Sequence, residues 1–222
     1  MSGAAPECRR DVVVYTGPLQ VDRDCAHAAA AAVQSLCPGD RVVFAGPGGH
    51  VPLTAALIGN CDLYVQPGGD ELLPAYRLLK DFRKVIRNHV RAGGGYLGFC
   101  LGGYLAGQTP GFGLLPGDTD QYICSPGAEV TNLSETVVRV NWQGKTRRMF
   151  FQDGPAFLVD ESKVNVLARY RNGAVAALST TFGRGRVRVC GPHPEATRDW
   201  YHGLRRLCYP HCQDLTAQLL AA

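Results

Sequence analysis

The sequence has no long apolar run, no strong excess of one charge, no internal repeat and no low-complexity tail. No stretch approaches the ~20 apolar residues that cross a bilayer, and residues 1–10 lack the charged-then-apolar pattern of a signal peptide. The net charge of +4 is too mild to imply nucleic acid or a membrane surface as partner. A soluble, cytoplasmic protein is therefore expected. A disulfide framework is also missing: the nine cysteines are odd in number and irregularly spaced, which suits free thiols in a reducing compartment. Only Cys208 and Cys212, with His211 between them, are close enough to suggest a metal site, and no second pair completes it. Neither a metal nor an organic cofactor is expected. With 222 residues and no obvious linker, the expectation is one domain spanning residues 1–222.

What is present is an alternation. Short apolar runs at residues 11–15, 41–45 and 61–66 end in Gly/Pro-rich turns, and they are separated by helical patterns at 22–36 and 72–91. This order predicts a parallel sheet with helices on both faces. On the second helix Leu79, Phe82, Ile86 and Val90 should face the sheet. Arg77, Lys80, Lys84, Arg87 and Arg91 form another stripe, read as a solvated face, with docking of an acidic partner as the sharper reading. Beyond Thr109 the pattern changes: 111–122 looks like loop, and strand-like pieces fall at 129–139, 147–151, 164–170, 174–181 and 186–190. Asn172-Gly173 between two apolar runs signals a hairpin. A terminal helix is expected over 197–220, with Pro210 as a break point.

The chain is organised around Gly98-Phe99-Cys100-Leu101-Gly102. An apolar run ends there in Gly-x-Cys-x-Gly, the layout of a strand, a tight turn and a helix start with a thiol at the turn. Small residues are needed on both sides because strand and helix approach closely. Unpaired N–H groups at the helix start would favour negative charge on the sulfur. A buried structural cysteine in a Gly-rich loop is the plainer reading. A nucleophilic cysteine needs a base, and the base needs a third group to orient it. His193 and Glu195 follow the end of the 186–190 strand, and their spacing on an extended, proline-flanked segment can point both side chains the same way. Acyl transfer also needs oxyanion donors. The Pro67-Gly68-Gly69 turn and the backbone N–H of Leu101 are the candidates.

Taken in order, Pro67-Gly68-Gly69, Gly98-Phe99-Cys100-Leu101-Gly102 and His193-Pro194-Glu195 resemble the oxyanion turn, nucleophile elbow and His-x-Glu pair of the class I glutamine amidotransferase-like superfamily. Pro67-Gly68-Gly69-Asp70 with Tyr76, the run from Gly95 to Tyr104, and Phe151-Gln152-Asp153-Gly154-Pro155 are most similar to the amidotransferase-like N-terminal domain of biotin-protein ligases, which also occurs as a stand-alone protein. The resemblance implies a doubly wound, mainly parallel, flavodoxin-like α/β sheet with a hairpin-rich insertion in the second half. It implies a Cys100-His193-Glu195 triad, an oxyanion hole at Gly69 and Leu101, and substrate contacts from Gly68, Asp70 and Tyr104. Glutamine-using members carry Gln at the position of Tyr104. A phenol lacks the paired donor and acceptor of a carboxamide, so amide or ester cleavage is expected without a commitment to glutamine.

The functional expectation is a cysteine-dependent hydrolase or amidotransferase-like enzyme acting on a carboxamide or related acyl bond of a small molecule. The alternative is a non-catalytic ligand-binding or regulatory module whose partner is an enzyme such as a biotin-protein ligase. A third reading, redox sensing through Cys100, leaves His193 and Glu195 without a task.

Overall fold

A computed structural model describes residues 9–204 and 211–222. β1 (Asp11–Tyr15) lies between β2 (Arg41–Ala45) and β3 (Leu63–Gln66), and β3 leads on to β4 (Gly95–Phe99) and then β11 (Gly185–Cys190), all parallel. The sheet does not stop there. β10 (Val175–Phe182), β9 (Asn165–Tyr170), β6 (Thr136–Trp142) and β7 (Lys145–Phe151) continue it antiparallel in that order. β8 (Pro155–Val159) pairs with β10 at one position and carries β5 (Gly117–Gln121). The hairpin-rich second half is thus an extension of the same sheet, which makes eleven strands among the described residues.

Alternation along β1 explains the two layers. Val12 and Val14 point to one face, where α1 (Gln20–Leu36) lays down Ala26, Ala29, Ala30 and Val33, joined by Leu215 and Leu219 of α6 (Gln213–Ala221). Val13 and Tyr15 point to the other, against Ile58 of α2 (Ala55–Asn60), Ile86 and Val90 of α4 (Arg83–Ala92), and Leu101 and Leu105 of α5 (Leu101–Ala106). Helices therefore cover both faces, as the strand–helix alternation predicts.

The differences from expectation are local. The helix predicted over 72–91 is α3 (Leu72–Leu79), a single 3-10 turn at Lys80–Phe82, and α4. No Gly or Pro marks that break. α2 is an addition, begun by Thr54, whose side chain accepts from the Leu57 amide at 3.1 Å. β5 falls inside the stretch read as loop, and β8, which begins at Pro155, falls in none of the strand-like pieces read from the sequence. β6 begins at Thr136 rather than near 129 and runs through Trp142, and the turn sits at Gln143-Gly144, both with positive φ. The basic stripe is not simply solvated: Arg87 donates to the Phe112 carbonyl at 2.7 Å, and Arg83, outside the stripe, donates through Nε to the Gly111 carbonyl at 2.9 Å. Of the terminal helix, a 3-10 turn (Arg198–Tyr201) and α6 lie within the described residues, whereas Pro210 and Cys208 lie outside them. No described helix is long and apolar enough to cross a membrane.

Candidate active site

β3, β4 and β11 are adjacent and parallel, so their C-terminal ends form one edge. The Pro67-Gly68-Gly69 turn leaves β3, Cys100 leaves β4, and Gly191 to Glu195 leave β11. Hydrogen bonds tie the three exits together: the Cys100 amide donates to the Cys190 carbonyl at 2.9 Å and the Gly102 amide to the Pro67 carbonyl at 3.2 Å. Sequence positions far apart thus converge because the topology places their strands side by side.

Cys100 is the residue before α5 and has φ 46° and ψ −106°, the strained turn expected of an elbow. Its flanking glycines are required by space. A Cβ on Gly98 would lie 2.5 Å from the Gly102 carbonyl oxygen, and one on Gly102 would lie 1.9 Å from that of Gln66. The Cys100 side chain is 7% exposed and its sulfur lies 3.6 Å from the Gln152 carbonyl oxygen.

Glu195 Oε1 lies 2.7 Å from His193 Nδ1, with both side chains buried. The ring also hydrogen-bonds the Cys100 side chain. Burial works to lower the pKa of His193, but the charges of Glu195 and Cys100 and the hydrogen bonds to both overcome it and raise the value to about 10. Backbone pairing fixes the ring's position, since the His193 amide donates to the Phe150 carbonyl at 2.9 Å. Phe150 and Trp200 pack edge-on against the imidazole with centroids 5.8 and 5.1 Å away.

The glycine turn closes the other side. A Cβ on Gly68 would lie 2.7 Å from His193 Cε1, so this glycine lets the imidazole pack on the turn. A Cβ on Gly69 would lie 2.5 Å from Asp22 Oδ1 and 2.9 Å from Leu101 Cδ2, so this glycine lets the turn pack against both side chains. Asp22 braces the turn: its carboxylate accepts from the Asp70 amide at 3.2 Å and the Leu19 amide at 3.0 Å.

A cleft of about 240 Å³ opens beside these groups, lined by Cys100, His193, Gly69, Gln152, Phe150 and Trp200 among others. Asp70 and Gly68 instead border a smaller neighbouring cavity of about 50 Å³ on the far side of the turn. Tyr104 lies one helical turn beyond Cys100, and its phenol donates to the Asp153 carbonyl at 3.0 Å rather than lining the cleft. Burial, with Asp153 and Cys100 adding to it, pushes its pKa well up. Sequence reasoning missed the aromatic wall of Phe150 and Trp200, the brace Asp22, and Cys25, a second thiol in the cleft whose pKa is raised by burial and then by Glu195 and Cys100. None of these carries a motif; each arrives by tertiary packing.

Comparison with known proteins bears on the fold. No curated protein sequence matches significantly. Among solved structures, a glutamine amidotransferase superposes with a TM-score of 0.60 at 16% identity, covering 94% of this chain and all of that one. A candidate GMP synthase component from Thermoplasma acidophilum gives 0.59 at 12% identity, covering 98% of each chain. An exo-β-1,4-mannosidase from Opitutaceae bacterium strain TAV5 gives 0.56 at 15% identity over 94% of this chain, but only 35% of its own. At these identities the likeness is one of fold. Residues 11–120 match the family model of the biotin-protein ligase N-terminal region, a span that holds the glycine turn and Cys100 but ends before His193 and Glu195. Over residues 11–120, just under half of its length, the chain is similar to the biotin-protein ligase N-terminal family, and its fold is like that of a glutamine amidotransferase.

Proposed function

We propose that the chain is a cysteine-dependent hydrolase or acyl transferase that cleaves a carboxamide or related acyl bond of a small molecule. The observation that carries this reading is the meeting, in one cleft, of the Cys100 thiol with a buried imidazole whose Nδ1 lies 2.7 Å from Glu195. In this reading the Cys100 sulfur attacks the acyl carbon and the carbonyl electron pair moves to oxygen, where the backbone N–H groups of Gly69 and Leu101 receive the developing charge. His193 delivers its proton to the leaving amine or alcohol as the C–N or C–O bond breaks, leaving a thioester on Cys100. Water, activated by His193, then releases the acid and restores the thiol. Glu195 holds the imidazole tautomer and offsets its positive charge.

The test is intact-mass detection of an acyl adduct across a panel of small amides and activated esters. An adduct that maps to Cys100 and disappears in Cys100→Ser is the expected result. Absence of any adduct and of turnover across the panel rejects the enzyme reading. A second reading is a binding module in which the cleft takes a ligand without chemistry. Its supporting observation is that Tyr104 spends its phenol on the Asp153 carbonyl instead of offering it to the cleft.

A further inference from the structure

Apart from His193, the charged groups around the cleft are of one sign. Besides His193, the ionisable side chains that line it are Asp24, Glu135, Asp199 and the two thiols, and among the described residues no Lys or Arg joins them. The chain as a whole carries net charge +4, so this acidic mouth stands against a basic background. The three carboxylates come from separate places: Asp24 from α1, Glu135 from the residue just before β6, and Asp199 from the 3-10 turn that carries Trp200. Between them lies an aromatic surface. Trp200 and Phe150 stand edge-on to each other with centroids 5.1 Å apart, and both line the cleft. Cys100, a residue 7% exposed, also lines this cleft. An anionic substrate would meet three like charges at the mouth and, apart from the His193 imidazole that Glu195 already engages, no described cationic side chain to pair with it.

We infer that the cleft selects a cationic acyl substrate, one whose protonated amine sits among Asp24, Glu135 and Asp199 against Trp200 while its acyl carbon reaches Cys100. This rests on the acyl-cleaving reading above and narrows its substrate class. Two physical contributions act together: the three exposed carboxylates at the cleft's mouth raise the local concentration of cations, and an indole face attracts an ammonium group. The cleft offers neither to a substrate whose only charge is a carboxylate.

The experiment uses two methanethiosulfonates that share the same reactive group and chain and differ in the head group, one ending in an ammonium and one in a sulfonate. In each the Cys100 sulfur attacks the reagent's sulfenyl sulfur, a mixed disulfide forms and methanesulfinate leaves. Peptide mapping separates labelling at Cys100 from labelling at Cys25 and the exposed Cys124. At low ionic strength the ammonium reagent should label Cys100 faster than the sulfonate by about tenfold or more. That ratio should fall several-fold in the triple variant Asp24→Asn, Glu135→Gln, Asp199→Asn, and should shrink in the wild type as salt rises. The sulfur's own preference for a cation is common to both proteins and cancels in the comparison. A ratio near one, or a ratio unchanged by the triple variant, overturns the inference. Labelling requires only a thiol, so the ratio stays readable if every amide and ester in the hydrolysis panel fails, and the two failures are distinguishable.

Discussion

Cys100 occupies a backbone region that costs a non-glycine residue about 1–3 kcal/mol, and the surrounding bonds over-determine it. Its amide is held by Cys190, its carbonyl by the Tyr104 amide, and the glycines on either side leave no room for relaxation. Strain kept at a single thiol beside a buried imidazole is what a fixed attack direction requires. The same reasoning predicts the effect of Glu195→Gln. The amide keeps the shape, but it no longer carries the charge that opposes the burial of a protonated His193, and it can present its NH2 to Nδ1. The expected outcome is a loss of about 10²–10⁴ in the rate of acyl transfer with little change in the cleft, measured as single-turnover adduct formation on Cys100 against the wild type. The elbow was legible in the sequence because Gly98, Cys100 and Gly102 answer to a local steric demand. His193 and Glu195 were legible because both sit at a strand exit two residues apart. Asp22, Phe150 and Trp200 were not, since their parts are assigned only when α1, β7 and the 3-10 turn arrive from distant segments.

At the scale of elements, the parallel half could be read from its periodicity, whereas the extension of the sheet was harder to place. β5 has the sequence Gly-Asp-Thr-Asp-Gln, too polar to signal a strand, and it is made one by pairing with β8. α4 shows the same dependence on context. Its basic residues at helical spacing resemble a solvated face, yet Arg83 and Arg87 reach the carbonyls of Gly111, Phe112 and Gly113, while the Arg87 and Arg91 guanidiniums lie 4.7 and 5.1 Å from the Phe182 ring centroid. These bonds pin the loop after α5 against α4, and so support the helix that follows Cys100. Arg87→Ala removes charged hydrogen bonds to two carbonyls and a cation–π contact, and should cost about 1–3 kcal/mol. Lys84→Ala, on the exposed side of the same helix, should stay within about 0.5 kcal/mol. Chemical denaturation of the two variants checks the contrast, and equal effects would return the stripe to a merely solvated role.

For the whole molecule, the buried titratable groups set a pH window of stability, and their signs can be worked out separately. Burial lowers the pKa of His89 below the ordinary value of 6.5, so its contribution is present above that value and is lost as pH falls. His193 acts oppositely. Its folded pKa of about 10 exceeds 6.5, so its contribution is complete below about pH 6.5 and is lost as pH rises toward 10, with a slope of at most about 1.4 kcal/mol per pH unit. Cys25, Cys61 and Cys212 are thiols pushed up chiefly by burial, and they add a further loss once the unfolded chain's thiols ionise above about pH 8.5. The acid and alkaline limbs should therefore meet near pH 6.5, and the early part of the alkaline limb, from about pH 6.5 to 8, should belong to His193 rather than to the thiols. Urea midpoints measured at about pH 5.5, about 6.5, about 8 and about 9.5 should fall on both sides of about 6.5 in the wild type. In His193→Gln the fall between about pH 6.5 and 8 should largely vanish while the drop above about 8.5 persists. A wild-type midpoint that rises from about pH 6.5 to 8, or a variant that keeps the whole alkaline limb, would mean that the imidazole between Cys100 and Glu195 is held neutral rather than charged.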